Sequence, residues 1–385
     1  MNKKELAAFK KEFKLDSYKL KLKELYCIYL KKDNLSVIHT EKTYFEVLDT
    51  ETQELYLNNF KKLLSGSIDT KIFQLGFMDS EEENSSQKLL YTALENEMEL
   101  HDNLDKLIVK IGENYKYDTD IVISFIKGEY YQASNKKTDE DNSSDDTMNA
   151  FKFIMGSINK VEAPKKALLY DYENQKLRAN SSLDIIININ APLEGFMFPT
   201  IDNGYSDVNK VLYYTGKPKD KNVAFIEDIL NCKLTLTAME EKDSFSAILS
   251  SVTGGKTTPT VMQEIYEAIQ EKAEEATEDE TPSIGVKDLQ NILKAKNIEL
   301  KEDVDLAFEE VLATKEHEFK IQNILPKFDT KSMKLTSEST DIIISPKDLS
   351  MIKQVKDKDG NKCLLIRLEE DMLIDGLSLD TEDSF

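Results

Sequence analysis

The chain has 385 residues, of which 40% are apolar, with 17 Phe, 16 Tyr and no Trp. This apolar content is enough for a substantial core and excludes a wholly disordered chain, and the length allows two or three domains. The formal net charge of −22 argues against a nucleic-acid backbone or an anionic membrane surface as the partner.

Cysteine usage and hydropathy indicate a cytoplasmic protein. Cys27, Cys232 and Cys363 are far apart, and each lies in an apolar run, which is typical of reduced, packed thiols. The basic N-terminus is not followed by the apolar core of a signal peptide, and no run approaches the roughly 20 apolar residues of a membrane span. We therefore expect a protein that is neither exported nor inserted into a membrane.

Residues 1–217 are predicted to form a mixed α/β domain, because helical and alternating apolar patterns succeed one another. The predicted helices run to Phe13, from Thr50 to Gly66, from Lys88 to Asn96 and from Leu100 to Ile111. The predicted strands are Leu20–Leu30, Ser36–His39, Tyr44–Leu48, Ile72–Met78, Ile121–Tyr131 with a turn at Lys127-Gly128, Phe151–Ile158, Ala167–Tyr172 and Leu183–Ile189. The acidic run 136–147 is predicted to be an exposed, mobile loop.

The pattern becomes helical in residues 218–314 and returns to strand in residues 315–385. Predicted helices are Val223–Leu230, Asp243–Val252, one that begins at Thr258, Val286–Lys296 and Glu302–Leu312, with a charged linker at 273–282. Predicted strands are Met333–Thr336, Ile342–Ser345, Ile352–Lys356 and Lys362–Leu368, with a hairpin turn at Asp359-Gly360 and an acidic tail at 381–385. The expected fold class is α+β, with a mixed N-terminal domain, a central helical region and a small β-rich C-terminal region.

The segment 185–214 has almost no charge in a chain that is 32% Asp, Glu, Lys and Arg. It must lie beneath other parts of the fold or beneath a partner, because apolar surface leaves water favourably. Aromatic side chains with polar groups among them are typical of binding pockets and also of cores. The candidate binding residues are Phe196, Phe198, Pro199, Asp202, Asn209, Tyr213 and Tyr214.

No motif for a nucleophile, a phosphate loop or a zinc site occurs in the sequence, and no cofactor is predicted. The three histidines, His39, His101 and His317, are isolated from one another. Carboxylates that flank an apolar wall can bind a divalent cation or act as acid and base. A weaker alternative is therefore a metal site at Asp171, Asp184, Glu194 and Asp202.

The run APLEGFMFPTID, followed by NKVLYYT, resembles a bacterial family from clostridia and their Gram-positive relatives that is defined as a domain of unknown function. The similarity extends to MNKKEL at the start, to Leu64-Ser65-Gly66 and to Leu169-Tyr170-Asp171, so that it covers most of the chain. The chain departs from the family in a longer acidic loop at 136–147 and in the Asn203-Gly204 turn. The resemblance implies a full-length cytoplasmic bacterial protein and implies no activity, cofactor or catalytic residue.

Two functional hypotheses follow from these observations. The first is a non-catalytic protein-binding or assembly protein whose partner is another protein or a second copy of itself. The alternative is a metal-dependent hydrolase that uses the carboxylates around the central apolar segment. Neither hypothesis involves nucleic acid or a membrane.

Overall fold

The computed structural model describes residues 1–380 with short gaps. The gaps are residues 34, 97–99, 115–116, 134–147, 164–167, 180–184, 203, 219–220, 278–280, 329 and 339. The predicted acidic loop at 136–147, the candidate ligand Asp184 and the acidic tail at 381–385 therefore lie outside the described residues. The chain divides into two units, Met1–Thr235 and Leu236–Phe385.

The first unit contains helices and strands in alternation. Its helices are α1 (Lys3–Lys11), α2 (Thr50–Leu63), α3 (Ser86–Glu95), α4 (Leu100–Glu113), a 3-10 turn (Phe45–Val47) and a π-helical turn (Phe225–Ile229). Its strands are β1 (Leu20–Leu30), β2 (Val37–Tyr44), β3 (Ile72–Gly76), β4 (Ile121–Ala133), β5 (Met148–Glu162), β6 (Leu168–Asp171), β7 (Lys176–Ala179), β8 (Ile186–Ile187), β9 (Glu194–Phe198), β10 (Thr200–Asp202), β11 (Tyr205–Asp207) and β12 (Lys210–Thr215).

An eight-stranded antiparallel sheet organises this unit. Its strand order is β2-β1-β4-β5-β9-β12-β3, and β8 pairs with the end of β5. The short hairpins β6–β7 and β10–β11 lie outside the sheet. The strands β2 and β3 are consequently the two edges.

Helices cover both faces of the sheet. Successive side chains of a strand point to opposite faces, so a single strand contributes to the core on each side. In β9, Phe196 and Phe198 belong to the core that contains the apolar residues of α3 and α4. Met197, between them, belongs to the core that contains the apolar residues of α1 and α2. The first unit is therefore a sheet between two helical layers.

The predicted turn at Lys127-Gly128 is wrong, because both residues lie within the continuous strand β4. Gly128 pairs with Phe153 of β5, and its glycine has a packing reason. A Cβ atom at Gly128 would lie 2.6 Å from the ring of Phe153 and 2.9 Å from the carbonyl oxygen of Lys21. Close approach between neighbouring strands, not a turn, explains this glycine.

The second unit consists of helices followed by hairpins. Its helices are α5 (Ala238–Thr253), α6 (Pro259–Glu275), α7 (Val286–Ala295), α8 (Val304–Leu312), α9 (Ile321–Ile324) and a 3-10 turn (Pro346–Met351). Its strands are β13 (Ser283–Ile284), β14 (Phe319–Lys320), β15 (Met333–Thr336), β16 (Asp341–Ile344), β17 (Ile352–Lys356), β18 (Lys362–Ile366), β19 (Leu373–Ile374) and β20 (Leu377–Ser378). In the described part of this unit the strands form two-stranded pairs: β13–β14, β15–β16, β17–β18 and β19–β20.

One core joins the helices of this unit to the segments that follow them. Phe319 of β14 packs edge-to-face against Phe245 of α5 and Phe308 of α8, with ring centroids 5.4 and 5.6 Å apart. Leu349 also belongs to this core. Residues 218–314 and 315–385, predicted as separate regions, thus share one core after residue 235.

Two local predictions in this unit are corrected by the structure. Helix α6 continues to Glu275, three residues into the predicted linker 273–282, because Ala273 packs against the core. The hairpin at Asp359-Gly360 exists, but its loop extends from residue 357 to residue 361. The carboxylate of Asp357 accepts hydrogen bonds from the amides of Asp359 and Asn361, which holds the longer loop closed. The predicted α+β class is confirmed.

Candidate functional site

The aromatic candidates of the central segment, which could have formed either a pocket or a core, lie in the core. Phe196, Phe198 and Tyr213 are almost completely buried on the face covered by α3 and α4. Phe198 makes an edge contact with Phe77, with ring centroids 5.8 Å apart, and the ring centroid of Tyr213 lies 5.7 Å from that of Phe225. These side chains therefore belong to the core between the sheet and the helices α3 and α4.

The remaining candidates of the central segment are divided between the opposite face and the surface. Tyr214 is buried on the face covered by α1 and α2, and Pro199 is buried at the end of β9. Asn209 is exposed, and its Oδ1 accepts a hydrogen bond from Nε2 of Gln87 at 3.2 Å. The structure does not bring the seven candidates together on one surface.

Asp202 belongs to a small charge network at the end of the β10–β11 hairpin. Its carboxylate lies 3.6 Å from the amino group of Met1 and 3.6 Å from Nζ of Lys210. Lys210 makes a closer pair with Asp207, at 3.0 Å. This hydrogen bond with Asp207 is the main reason that the pKa of Lys210 is raised.

Two other carboxylates of the proposed metal site accept hydrogen bonds from the protein. Asp171 accepts bonds from the amides of Glu173 and Asn174 and so closes the β6–β7 turn. The side-chain bond from Asn174 is the largest cause of its lowered pKa. Glu194 is buried at the start of β9, where its Oε1 accepts a bond from Nδ2 of Asn222 at 2.8 Å.

The described part of the chain, which excludes Asp184, contains no group of three or more His, Cys, Asp or Glu placed to hold a metal ion. Asp171, Glu194 and Asp202 accordingly do not form such a group. Nothing in the geometry of the described carboxylates favours the hydrolase hypothesis.

Two cavities of the first unit have mixed charge. One, of about 660 Å³, lies where β1 bulges away from β4, and five lysines and three glutamates line it. All five lysines have partners. Lys23, Lys14 and Lys152 pair with the carboxylates of Glu129, Asp16 and Glu95 at 2.6, 3.3 and 4.0 Å. Lys127 donates to the carbonyl oxygens of Ala93 and Asn96, and the ammonium group of Lys21 lies over the ring of Tyr131. The other cavity, of about 760 Å³, contains Glu194 and Asn222 in its wall.

The edge strand β2 is the most distinctive exposed surface of the sheet. Along its length the side chains face solvent, with Val37, Ile38 and Tyr44 exposed by 50%, 53% and 56%. Within the described residues β2 pairs only with β1, so its second edge has no strand beside it. Unpaired backbone groups on an edge strand are a template for another strand.

Two features near the edge shape this surface. The register between β1 and β2 shifts at Tyr29 and Leu30, which leaves Ile38 as an extra residue in β2. The ammonium group of Lys42 lies over the ring of Tyr26 on β1, 5.3 Å from the ring centroid. The lysine therefore leans back over the sheet and away from the open edge.

Sequence reasoning missed β2 as one strand, because it divided the region into strands at Ser36–His39 and Tyr44–Leu48. The run VIHTEKTY contains a signal that could have joined them, since Val, Ile, Thr and Tyr are enriched in strands. Its charged residues weakened the alternating pattern. The second predicted strand is instead a 3-10 turn at Phe45–Val47.

The C-terminal hairpins of the second unit expose a second set of apolar side chains. Among the residues that the structure describes, the strands β17–β18 and β19–β20 pair within their own hairpins alone. Exposed side chains in and around them are Leu364, Leu365, Leu368, Met372, Leu373, Leu377 and Leu379. A two-stranded hairpin is marginally stable alone, and Ile352 at the start of β17 is buried whereas the leucines further along are exposed.

The described helices include none that combines the length and the apolar character needed to cross a bilayer. Together, the fold and the surface define an α+β protein with a helix-covered antiparallel sheet and one long open edge. The profile of the family described as Domain of unknown function (DUF4317) matches residues 1–377, and the chain belongs to this family. Searches of curated proteins and of solved structures found no significant match.

Proposed function

We propose that the chain is a non-catalytic protein-binding or assembly protein that accepts an additional β-strand at the outer edge of β2. The observation that supports this function is the eight-residue edge strand Val37–Tyr44, which is exposed along its length and, within the described ranges, pairs with β1 alone. An added strand would form main-chain hydrogen bonds with the open edge, which supply affinity in this mode of recognition.

The environment of β2 leaves room for such a strand. The helices that cover the centre of the sheet leave the side chains of β2 exposed. A strand added beside β2 would therefore not collide with these helices on either face of the sheet. Val37, Ile38 and Tyr44 would then lose water on contact, which favours association. Lysine on an edge strand can prevent another strand from pairing with it. The ammonium group of Lys42, the lysine of this strand, lies over the ring of Tyr26 and away from the open edge.

A photo-crosslinking side chain placed at Ile38 tests this function in cells. If β2 accepts a strand, irradiation should produce a discrete adduct of higher mass. The matched control is the same side chain at Val109 of α4, which is 58% exposed and lies on a helix. Absence of an adduct at Ile38, or equal adducts at both positions, would show that β2 is not a specific binding edge.

A further inference from the structure

The last two hairpins of the second unit carry opposite charges. The basic hairpin, residues 352–367, contains β17 and β18; its cations are Lys353, Lys356, Lys358, Lys362 and Arg367, and its two carboxylates, Asp357 and Asp359, are both in the loop. The acidic hairpin, residues 369–380, contains β19 and β20 and has no lysine or arginine; its carboxylates are Glu369, Glu370, Asp371, Asp375 and Asp380. The two signs of charge are thus separated into neighbouring hairpins.

Two lysines of the basic hairpin face each other directly. The register of β17 and β18 opposes Lys356 to Lys362, and opposed side chains lie on the same face of a hairpin. Like charges in this position are destabilising. Within the described residues, no salt bridge connects either ammonium group to a carboxylate. This pair of lysines therefore favours an anionic group beside it.

Apolar side chains accompany the charges on both hairpins. Leu364 lies on the face of the two opposed lysines, two residues along β18 from Lys362, and is 42% exposed. On the acidic hairpin, Met372, Leu377 and Leu379 share one face, because the register of β19 and β20 continues in a bond from the amide of Leu379 to the carbonyl oxygen of Met372. These three side chains are exposed by 51%, 74% and 45%. Each hairpin thus combines exposed apolar groups with charge of one sign.

A single chain does not bring these two surfaces together. Leu368 is the one residue between the hairpins, yet no salt bridge joins them in the described part of the chain, and their leucines stay exposed. Helix α1 is also basic, but its apolar residues Leu6 and Phe9 are buried, so it offers no apolar surface to the acidic hairpin. The net charge of −22 opposes an anionic polymer or membrane on the basic hairpin.

From this complementarity we infer that two copies of the chain form a two-fold symmetric dimer in which the acidic hairpin of each copy docks on the basic hairpin of the other. In such an arrangement the same contact occurs twice. Carboxylates of one copy would lie against Lys356 and Lys362 of the other, and Met372, Leu377 and Leu379 would lose water against Leu364. The inference goes beyond the proposed function, because this surface lies in the second unit and not at β2.

The net charge of the chain does not prevent this contact at physiological salt. Each copy carries a formal charge of −22, so two copies repel each other at long range. At about 0.15 M salt the screening length is about 8 Å, and charges in direct contact then outweigh distant ones. We therefore expect the full chain to sediment as a dimer at this salt concentration. A monomeric chain would overturn the inference.

Reversal of the charge on either hairpin should give a monomer. The first variant is Lys356→Glu with Lys362→Glu, and the second is Glu369→Lys with Glu370→Lys and Asp380→Lys. Each variant alone would place like charges at both contacts of the dimer, which is destabilising. A dimer that persists in either variant would contradict docking between the hairpins.

An equimolar mixture of the two variants should recover a dimer that contains one copy of each. The unchanged acidic hairpin of the first variant would meet the unchanged basic hairpin of the second, and the two reversed hairpins would also meet as opposite charges. Native mass spectrometry identifies this mixed dimer. Its absence would show that the contact is not reciprocal and would overturn the inference.

The control for net charge is Lys106→Glu with Lys287→Glu, at exposed positions of α4 and α7. It changes the charge of the chain by the same amount as the first variant and should leave the dimer intact. Loss of the dimer in this control would mean that overall charge decides association, which would contradict a specific contact. Thermal unfolding of all three variants checks that they remain folded.

Leu377→Ser tests the apolar part of the contact without a change of charge. Leu377 is 74% exposed in the single chain, so its replacement should leave thermal unfolding unchanged. The dissociation constant of the dimer should rise at least about tenfold, because a leucine buried on association contributes more than that factor. An unchanged dissociation constant would contradict docking of this face.

A photo-crosslinking side chain at position 377 identifies the occupant in cells. An adduct with the mass of two chains supports the dimer. An adduct with a different, basic protein would overturn self-docking and assign the acidic hairpin to that partner. The crosslink at Ile38 tests β2 independently, so strand addition can hold where this dimer fails.

Discussion

Nζ of Lys110 donates a hydrogen bond to Oδ1 of Asn231 at 2.8 Å and another to Oγ of Ser86 at 3.0 Å. These bonds connect α4 to the start of α3 and to Asn231, two residues after the π-helical turn. Asn231 has a left-handed backbone, with φ of 54°, a conformation in which asparagine is favoured among residues with a side chain. Burial is the main cause of the lowered pKa of Lys110.

We expect Lys110→Met to destabilise the first unit by about 1–3 kcal/mol, because Ser86 and Asn231 would lose a charged donor in a partly buried site. Urea denaturation measures the free energy of unfolding, and hydrogen exchange of residues 225–232 should show local opening. The control is Lys106→Met on the exposed side of the same helix. Equal stability of the two variants would mean that the Lys110 contacts are not important for the fold.

Phe198→Ala should be among the most damaging substitutions in the central segment. The side chain is fully buried in the core of the first unit, so its removal should cost about 3–5 kcal/mol. Thermal unfolding measures this loss, and Tyr205→Ala, at an exposed position of β11, is the control. A stable Phe198→Ala protein would contradict its assignment to the core.

Asp202→Asn should have a small effect on stability, at most about 1 kcal/mol. The carboxylate is 39% exposed, its contacts with Met1 and Lys210 are 3.6 Å long, and exposed ion pairs contribute little. Lys210 also keeps its closer partner, Asp207. Chemical denaturation of the variant checks this expectation, and a loss of several kcal/mol would show that the network is a structural requirement.

His317 should make the second unit less stable in acid. Burial lowers the pKa of its imidazole below the ordinary value of 6.5, and Lys320 lowers it further, while Glu318 opposes the shift. The carboxylate of Glu241 lies 3.7 Å from Nε2, but the effect of burial is larger. The folded state therefore holds the neutral imidazole at pH values where the unfolded chain already binds a proton.

Because the unfolded state binds more protons in this range, the stability contributed by neutral His317 is present above about pH 6.5 and decreases as the pH falls. Hydrogen exchange of residues 236–325 at pH 7.5 and pH 5.0 should show this loss in the full chain. His317→Gln should lose less protection between the two pH values than the parent protein. The same loss in both proteins would exclude His317 as the cause.

Several helices were predicted closely from the sequence, whereas the order of the strands in the sheet was not predicted. The apolar spacing in α2 and α4 is local, so it could be read from neighbouring residues. The turn predicted at Lys127-Gly128 was wrong because the reason for this glycine is not local. Its glycine is required by Phe153 and Lys21, which are distant in sequence and meet only when β1, β4 and β5 pair.

The sequence by itself determined the α+β class and membership of the family. The prediction that the whole segment 185–214 lies beneath other parts of the fold was correct for its middle, 192–201, and wrong for Ile185, Ile186, Ile187 and Tyr205, which are exposed. The fold class depends on short-range periodicity, whereas family membership rests on the match of the family profile to residues 1–377. Only the tertiary structure decided that Phe196 and Phe198 face α3 and α4, while β2 remains an open edge. Burial and strand neighbours depend on contacts between distant residues, and an alternating strand pattern does not specify which strand lies beside it.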